Sequence, residues 1–163
     1  MEFVNIGKLV NTHGVRGEVR IISDINEKDQ VFKIGQNIYL GKNKDMHTIS
    51  TYRVHKNYDM LTFEGVYNIN DVLKYKGMDV FVNRDDISSD ILLRTDLINM
   101  DAYFNQERIG TVKNILISKA HDILEISGNK KLLIPYIDNY ILKVDNEKKE
   151  IHFKSVEVFL NED

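Results

Sequence analysis

Cysteine is absent from this 163-residue sequence, so the chain can form neither a disulfide bond nor a thiolate metal site. Long apolar runs are absent as well, and no stretch approaches the roughly 18 apolar residues that a membrane-spanning helix requires. Residues 1–10 also lack the basic region and the apolar run of a secretory signal peptide. These absences predict a soluble, cytoplasmic protein with no membrane association.

A basic excess is missing too. Residues 1–85 carry 12 Lys and Arg against 11 Asp and Glu, a balance of +1, and residues 86–163 carry 10 against 14, a balance of −4, which gives the net charge of −3. Proteins whose affinity comes mainly from neutralising phosphates carry a clear basic excess. Any nucleic-acid contact is therefore expected to be local, with much of the affinity supplied by a protein partner.

No catalytic or metal-binding pattern is evident in the sequence. The five histidines are dispersed, without a second histidine or a carboxylate at metal-ligand spacing. His121-Asp122 has the form of a charge-coupled base, but no nucleophile stands beside it, and the pair is interpreted as a polar turn before a strand. We therefore expect no catalytic residue, no metal and no cofactor, and a protein that is not an enzyme.

What the sequence does contain is alternation of apolar and polar residues with period two, which is typical of strands exposed on one face. It predicts strands at residues 3–10 and 18–21, and a hairpin in which a turn at 57–59 joins residues 49–55 to 60–66. Residues 70–77, with an asparagine at the start and a glycine at the end, predict a short helix, and a strand is expected at residues 79–82.

The composition changes at residues 83–90, which are polar and aperiodic and are interpreted as a linker. Beyond them the strand pattern resumes, with turn residues near 105–107, 128–129 and 145–147. The sole proline, Pro135, lies in an apolar run, which places that strand at a sheet edge or at a bend. The chain is thus expected to be all-β, with two small domains of about 80 residues each.

The segment from His13 to Glu18, at the corner between the first two strands, holds two glycines three residues apart. A strand follows it rather than a helix, which excludes the dinucleotide-binding pattern, and the lysine and hydroxyl of a nucleotide P-loop are missing. Gly14 and Gly17 fit a structural turn that needs positive φ or close backbone approach. His13 and Arg16 as ligand contacts at the tip remain the alternative.

Residues 6–19, which run as strand, His-Gly, an apolar and a basic residue, Gly-Glu and strand, closely resemble the opening of the bacterial ribosome maturation factors of the RimM family. Further similar segments follow in the same order and with suitable spacing. They are the central hairpin at 53–66, the end of the first domain at 70–84, the strand at 108–112, and the C-terminal signature at 133–136 and 144–151.

The resemblance implies a translation-factor-type six-stranded β-barrel at residues 1–84, a short linker at 85–94 and a PRC-barrel at 95–163. It also implies a ribosome assembly chaperone that binds the free small ribosomal subunit and supports processing and maturation of the small-subunit rRNA. The partner expected is a head ribosomal protein, the nineteenth of the small-subunit set, bound by the PRC-barrel. A monomer is expected. A non-ribosomal PRC-barrel adaptor or sensor remains the alternative.

Under this resemblance, contacts to the ribosome or its RNA are expected from Lys8, His13 and Arg16 in the first domain. Contacts to the ribosomal protein are expected in the second, from Leu93, Arg94, Asp122, Pro135 and Tyr136. Core packing of Tyr136 and attachment of Leu93 to its own domain are the structural alternatives.

The sequence departs from the family pattern at two places in the second domain. Leu93-Arg94 stands where the family commonly has two adjacent aromatics linked to ribosome binding, and Asn99 stands where glycine is usual. Before the strand at 123 the chain has Lys-Ala-His-Asp, whereas the family often has Gly-Ala-Asn-Asp. Aromatic anchors often dominate interface energies, so the first departure bears directly on partner binding.

Overall fold

The computed structural model describes residues 1–161, which form two compact units, one ending at Ile91 and the other beginning at Leu92. Both are built from strands, so the all-β fold class is confirmed. The predicted boundaries at 84/85 and 94/95 stay a prediction. Residues 84–91 begin at Arg84, whose amide donates to the Glu2 carbonyl oxygen at 2.8 Å in the first unit. Its guanidinium donates to the carbonyl oxygens of Ile87 (2.9 Å) and Ile91 (3.0 Å) within the segment.

The first unit is a closed six-stranded barrel in the order β1-β2-β5-β4-β3-β6. A one-turn helix, α1 (Lys28–Val31), follows β2, and three short 3-10 turns lie at Ile69–Asp71, Leu73–Tyr75 and Arg84–Asp86. The strands are β1 (Phe3–His13), β2 (Glu18–Ile22), β3 (Asn37–Leu40), β4 (Asp45–His55), β5 (Tyr58–Phe63) and β6 (Asp79–Asn83).

The interior of the barrel follows directly from the alternation in the sequence. Val19 and Ile21 on β2 are fully buried, while Glu18 and Arg20, which alternate with them, face outward and are only partly covered. Leu61 on β5 lies opposite Val19 and is also fully buried. A strand with one face on the core and one facing solvent shows this period, so the pattern that predicted the strands also determines which face is internal.

The second unit is a six-stranded sheet in the order β10-β9-β8-β7-β12-β11, and α2 (Glu157–Leu160) lies near its C-terminus. A 3-10 turn at Arg94–Leu97 precedes the first strand. The strands are β7 (Asp101–Phe104), β8 (Glu107–Leu116), β9 (Ile123–Ser127), β10 (Lys131–Pro135), β11 (Ile141–Asp145) and β12 (Glu150–Phe153). Pro135 ends β10, an edge strand, as predicted from its missing N–H.

The helix predicted at 70–77 is not continuous, because the segment forms two short 3-10 turns at Ile69–Asp71 and Leu73–Tyr75. Asn68, rather than Asn70, caps the first of them by accepting a hydrogen bond from the Asn70 amide at 2.8 Å. Val72 then departs from helical geometry at φ −122°. Its side chain and that of Tyr75 are buried three residues apart, a spacing that α- and 3-10 helices share.

The hairpin between β4 and β5 is confirmed, but its turn lies one residue earlier than predicted. Lys56 and Asn57 form the turn, and His55 pairs directly with Tyr58. Lys56 has φ 56°, the left-handed conformation that a two-residue hairpin connection requires. The short connection places His55 and Tyr58 side by side on one face of the barrel.

Candidate interaction surfaces

The corner between β1 and β2 depends on its two glycines for different reasons. Gly14 has φ 75° with no atom within 4 Å of where a Cβ would stand. Gly17 has φ 97°, and a Cβ there would lie 2.7 Å from Val66 Cγ1. The carbonyl oxygen of Val15 also accepts a hydrogen bond from the Ile69 amide at 2.8 Å. The corner is therefore fixed against the loop that follows β5.

The tip of this corner projects into solvent. Arg16 is exposed and makes no hydrogen bond or ion pair with any residue of 1–161, and the neighbouring Val15 is 76% exposed. The glycines thus fold the backbone, while Arg16 stays available to a partner. Lys8 is also exposed, but it precedes His13 by five residues on β1, about 16 Å along the strand. The structure does not bring Lys8 together with Arg16.

His13 belongs to a cluster on the outer face of the barrel rather than to the tip. Its Nδ1 accepts a hydrogen bond from Arg20 Nη2 at 2.6 Å, and its ring centroid lies 5.8 Å from that of His55. The Arg20 guanidinium in turn lies 5.5 Å from the ring centroid of Tyr58. We call this cluster the basic face, and it comprises His13, Arg20, Arg53, His55, Lys56 and Tyr58.

The register of three strands brings the two arginines of the basic face to the same level. Met60 on β5 pairs with Arg20 on β2 and with Arg53 on β4. Directly paired residues share a face of the sheet, so the two arginine stems flank Met60. Met60 is fully buried although its strand partners at this level are charged. Arg53 also donates to both carboxylate oxygens of Glu18, at 2.9 and 2.7 Å.

The titration of this face reflects its positive charge. Hydrogen bonding from Arg53 lowers the pKa of Glu18 despite the opposing effect of burial. Desolvation lowers the pKa of His55, and the positive charges of Arg53, Lys56, His13 and Arg20 lower it further, in that order. Desolvation is the largest of these causes, and the four neighbouring cations act on the His55 ring in the same direction.

Sequence reasoning placed only His13 in this cluster. The alternation at residues 18–21 indicates that Arg20 faces outward, but no local signal shows which strands flank β2. His13, Arg20 and His55 come from three different strands, and only the barrel order β1-β2-β5-β4 places them together.

In the second unit, four of the five residues expected to contact a protein partner lie close together. The Nε of Arg94 donates to Asp122 Oδ2 at 2.7 Å, and the Tyr136 amide donates to the Asp122 carbonyl oxygen at 2.8 Å. Pro135 pairs with Ile123, the next residue after Asp122. Burial raises the pKa of Tyr136, and the charges of Asp122 and Asp138 raise it further. We call Arg94, Asp122, Pro135 and Tyr136 the Arg94–Asp122 surface.

Leu93, the fifth of these residues, is only 2% exposed. Its amide donates to Asp96 Oδ2 at 2.8 Å and begins the 3-10 turn that carries Arg94. Leu93 thus positions Arg94 by its backbone, and its role as a contact stays a prediction.

The His121-Asp122 pair is not charge-coupled. The Asp122 carboxylate binds Arg94, and His121 Nδ1 lies 3.3 Å from the backbone carbonyl oxygen of Asp122. The Ser118 hydroxyl donates to the His121 carbonyl oxygen and closes the loop. The interpretation as a polar turn before β9 is confirmed.

Polar contacts, two of them partly buried, join the turn at 94–97 to the turn between β11 and β12 in the second unit. Lys149 Nζ donates to the Asp96 carbonyl oxygen and to Asn146 Oδ1, both at 3.1 Å, and Asn146 Nδ2 donates to Asp96 Oδ2 at 3.3 Å. Asn99 follows with φ 72°, a conformation that glycine adopts freely and asparagine tolerates. Asn99 thus adopts the left-handed conformation at the position where the resemblance leads us to expect glycine.

Residues 1–161 contain no group of three or more histidine and carboxylate side chains arranged to hold a metal ion. Within the same residues, no helix has the length and apolar character needed to span a bilayer.

A closed β-barrel with a basic face, followed by a second β-unit with the Arg94–Asp122 surface, defines a two-domain β-protein with one candidate interaction surface on each domain. Family models agree with this division: residues 4–87 match the RimM N-terminal domain and residues 89–160 match the PRC-barrel domain. The chain therefore belongs to the RimM family of ribosome maturation factors.

Curated relatives support the same family over the whole chain. The ribosome maturation factor RimM of Streptococcus mutans is 41% identical over 154 residues, covering 89% of this chain and 90% of the relative. That of Staphylococcus aureus is 38% identical over 167 residues, covering 97% and 99%. Among solved structures, the chain is also similar to one from Pseudomonas aeruginosa described as a 16S ribosomal RNA processing protein RimM, at 18% identity and a TM-score of 0.49, covering 97% of this chain and 100% of that one.

Proposed function

We propose that this protein is a cytoplasmic assembly chaperone that binds the free small ribosomal subunit and supports maturation of the rRNA in its head. It acts as a monomer, by binding and without chemical catalysis, and it needs no metal or cofactor. Its main partner is the nineteenth ribosomal protein of the small subunit, which the second unit binds. Support comes from membership of the ribosome maturation factor family and from the surfaces described above.

The Arg94–Asp122 surface is the observation that carries this proposal. Arg94 and Asp122 retain 31% and 16% of their side-chain exposure, so the ion pair is partly covered yet reachable. A guanidinium held in one orientation loses little further freedom when a partner binds. Arginine is also among the residues that most often dominate interface energies. Arg94 can therefore supply the anchor where the family has aromatics.

The test is co-sedimentation of the purified chain with free small subunits and with complete ribosomes, together with direct binding to the isolated head protein. We expect selective binding to free small subunits. Arg94→Ala should weaken binding by at least about 2 kcal/mol, roughly 30-fold, because it removes a central anchor. Arg108→Ala is the matched control, since Arg108 forms an exposed ion pair with Asp101 at 3.1 Å in the same unit.

Equal binding by wild type, Arg94→Ala and Arg108→Ala would contradict the assignment of this surface. Failure of the wild type to bind either particle would contradict the ribosomal function itself and favour the non-ribosomal adaptor. Arg16→Ala provides a separate test of the first unit. It should weaken association with the subunit without changing the melting temperature, because Arg16 is exposed and makes no hydrogen bond or ion pair within residues 1–161.

A further inference from the structure

We infer that the basic face of the first unit is a binding site for the sugar-phosphate backbone of exposed, single-stranded rRNA. The inference rests on the proposed function and adds to it a ligand class and a location. It assigns RNA binding to the outer face of β1, β2, β5 and β4, in addition to the contact expected from Arg16 at the tip.

Charge is the first argument for this ligand. Arg20, Arg53 and Lys56 contribute three positive charges and Glu18 one negative charge, a local balance of +2 before either histidine is protonated. The whole chain has a net charge of −3, so this face runs against the charge of the molecule. A local concentration of cations on an acidic protein selects for a polyanion at that place.

Prearranged geometry is the second argument. Arg20 is held by its hydrogen bond to His13 and by its position over Tyr58, and Arg53 is held by both oxygens of Glu18. Fixed guanidinium groups lose less side-chain entropy on binding phosphate than mobile ones do. Lys56 at the hairpin turn is exposed and extends the charged surface beyond β4 and β5.

Polar and aromatic groups beside the cations favour RNA over a simple anion. Tyr58 and His55 are directly paired on neighbouring strands and present two rings next to the guanidinium groups. Single-stranded nucleic acids bind where a positively charged groove or face lies beside aromatic rings on which bases stack. An acidic protein segment is the competing ligand, and the competition measurement below distinguishes it from RNA.

The test uses the full chain and a fluorescein-labelled single-stranded RNA of about 12 nucleotides, a length typical of such sites, in a fluorescence anisotropy titration over a range of salt concentrations. The test variant is Arg53→Gln with Lys56→Asn, since asparagine tolerates the positive φ of position 56. The matched control is Lys33→Gln with Lys42→Asn, which removes the same charge from exposed positions elsewhere on the first unit.

Each phosphate contact to a single strand contributes a slope of about −0.7 to the dependence of log affinity on log salt. Loss of two contacts should therefore reduce the slope by about 1.4 and weaken binding about 25-fold near 0.1 M salt. The control should retain the wild-type slope and affinity. Equal losses in both variants would show binding through net charge alone and would overturn the inference.

Two further measurements separate the inference from the function on which it rests. An acidic peptide that displaces the RNA more effectively than unlabelled RNA does would assign the face to a protein ligand and overturn the inference. In co-sedimentation, the Arg53→Gln, Lys56→Asn variant should bind free small subunits more weakly than the control. If this variant binds subunits as tightly as the control does, the inference is refuted and the proposed function stands. If the wild-type protein does not bind subunits at all, the proposed function is refuted.

Discussion

Substituting alanine separately at Gly14 and Gly17 distinguishes the two physical reasons for glycine at the β1–β2 corner. Both positions have positive φ, at 75° and 97°. At Gly14 a Cβ meets open space, whereas at Gly17 it would stand 2.7 Å from Val66 Cγ1 and 3.2 Å from the Asn68 carbonyl oxygen. The pair therefore separates the cost of the left-handed backbone from the cost of steric overlap.

The expected sizes of the two effects follow from this geometry. A left-handed conformation destabilises the folded state by about 1 to 2 kcal/mol for a residue with a Cβ. Replacing glycine also reduces the entropy of the unfolded chain, which offsets about 0.4 to 1 kcal/mol of that cost. Gly14→Ala should therefore destabilise the first unit by about 1 kcal/mol. Gly17→Ala adds overpacking, so we expect a total of about 3 kcal/mol. For a unit of this size the melting temperature should fall by about 5 °C and about 15 °C.

Thermal unfolding followed by circular dichroism measures both shifts, and hydrogen exchange of peptides from β1 and β2 assigns the transition to the first unit. Arg16→Ala is the control within the same loop and should leave the melting temperature unchanged. Equal destabilisation by the two glycine substitutions would refute the argument from close approach. A large effect of Arg16→Ala would refute the separation between a structural backbone and an available tip.

Two other predictions concern polar contacts. Asp96→Ala should destabilise the second unit by about 2 kcal/mol, because it removes the buried acceptor of the Leu93 amide and the acceptor of Asn146 Nδ2. Urea unfolding measures this change in the free energy of unfolding. A decrease no larger than that of a surface substitution would contradict the role assigned to Asp96. The pKa of Glu18 is lowered in the folded state, so its pairing with Arg53 contributes stability above the unfolded pKa, and this contribution is lost as the pH falls from 4.5 through the folded pKa. Glu18→Gln should therefore reduce stability at neutral pH and flatten its decline in acid, which unfolding across that pH range would show; an unchanged acid decline would count against the linkage.

Short-range patterns predicted much of the fold correctly. The strands predicted at 18–21 and 79–82 match β2 and β6 to within one residue, and Pro135 ends an edge strand. These features depend on one strand and its turns: alternation marks the buried face, and a missing N–H excludes a central position. The strands β3 and β7 and the helix α1, each four residues long, were not predicted.

The segment at 70–77 shows where local reasoning becomes insufficient. The spacing of its apolar residues suits both an α-helix and a 3-10 helix. In the structure the segment forms 3-10 turns, which tertiary contacts accompany. The Tyr75 hydroxyl donates to Asp45 Oδ2 at 2.9 Å and lies 3.0 Å from His47 Nε2, while the Gly77 amide donates to the Leu9 carbonyl oxygen at 2.7 Å. Burial and the bond to Asp45 raise the pKa of Tyr75 to about 12, so the hydroxyl remains a donor.

The sequence alone determined the all-β class, the division into two units and the family, because composition, alternation and ordered motifs are properties of the chain itself. The tertiary structure decided which charges meet. Arg20 joins His13 because β1 and β2 pair, and both join His55 because the barrel order places β5 and β4 beside β2. Arg94 meets Asp122 across 28 residues of sequence. Such contacts depend on strand order and register, which hydrogen bonds between distant segments establish and which no local pattern encodes.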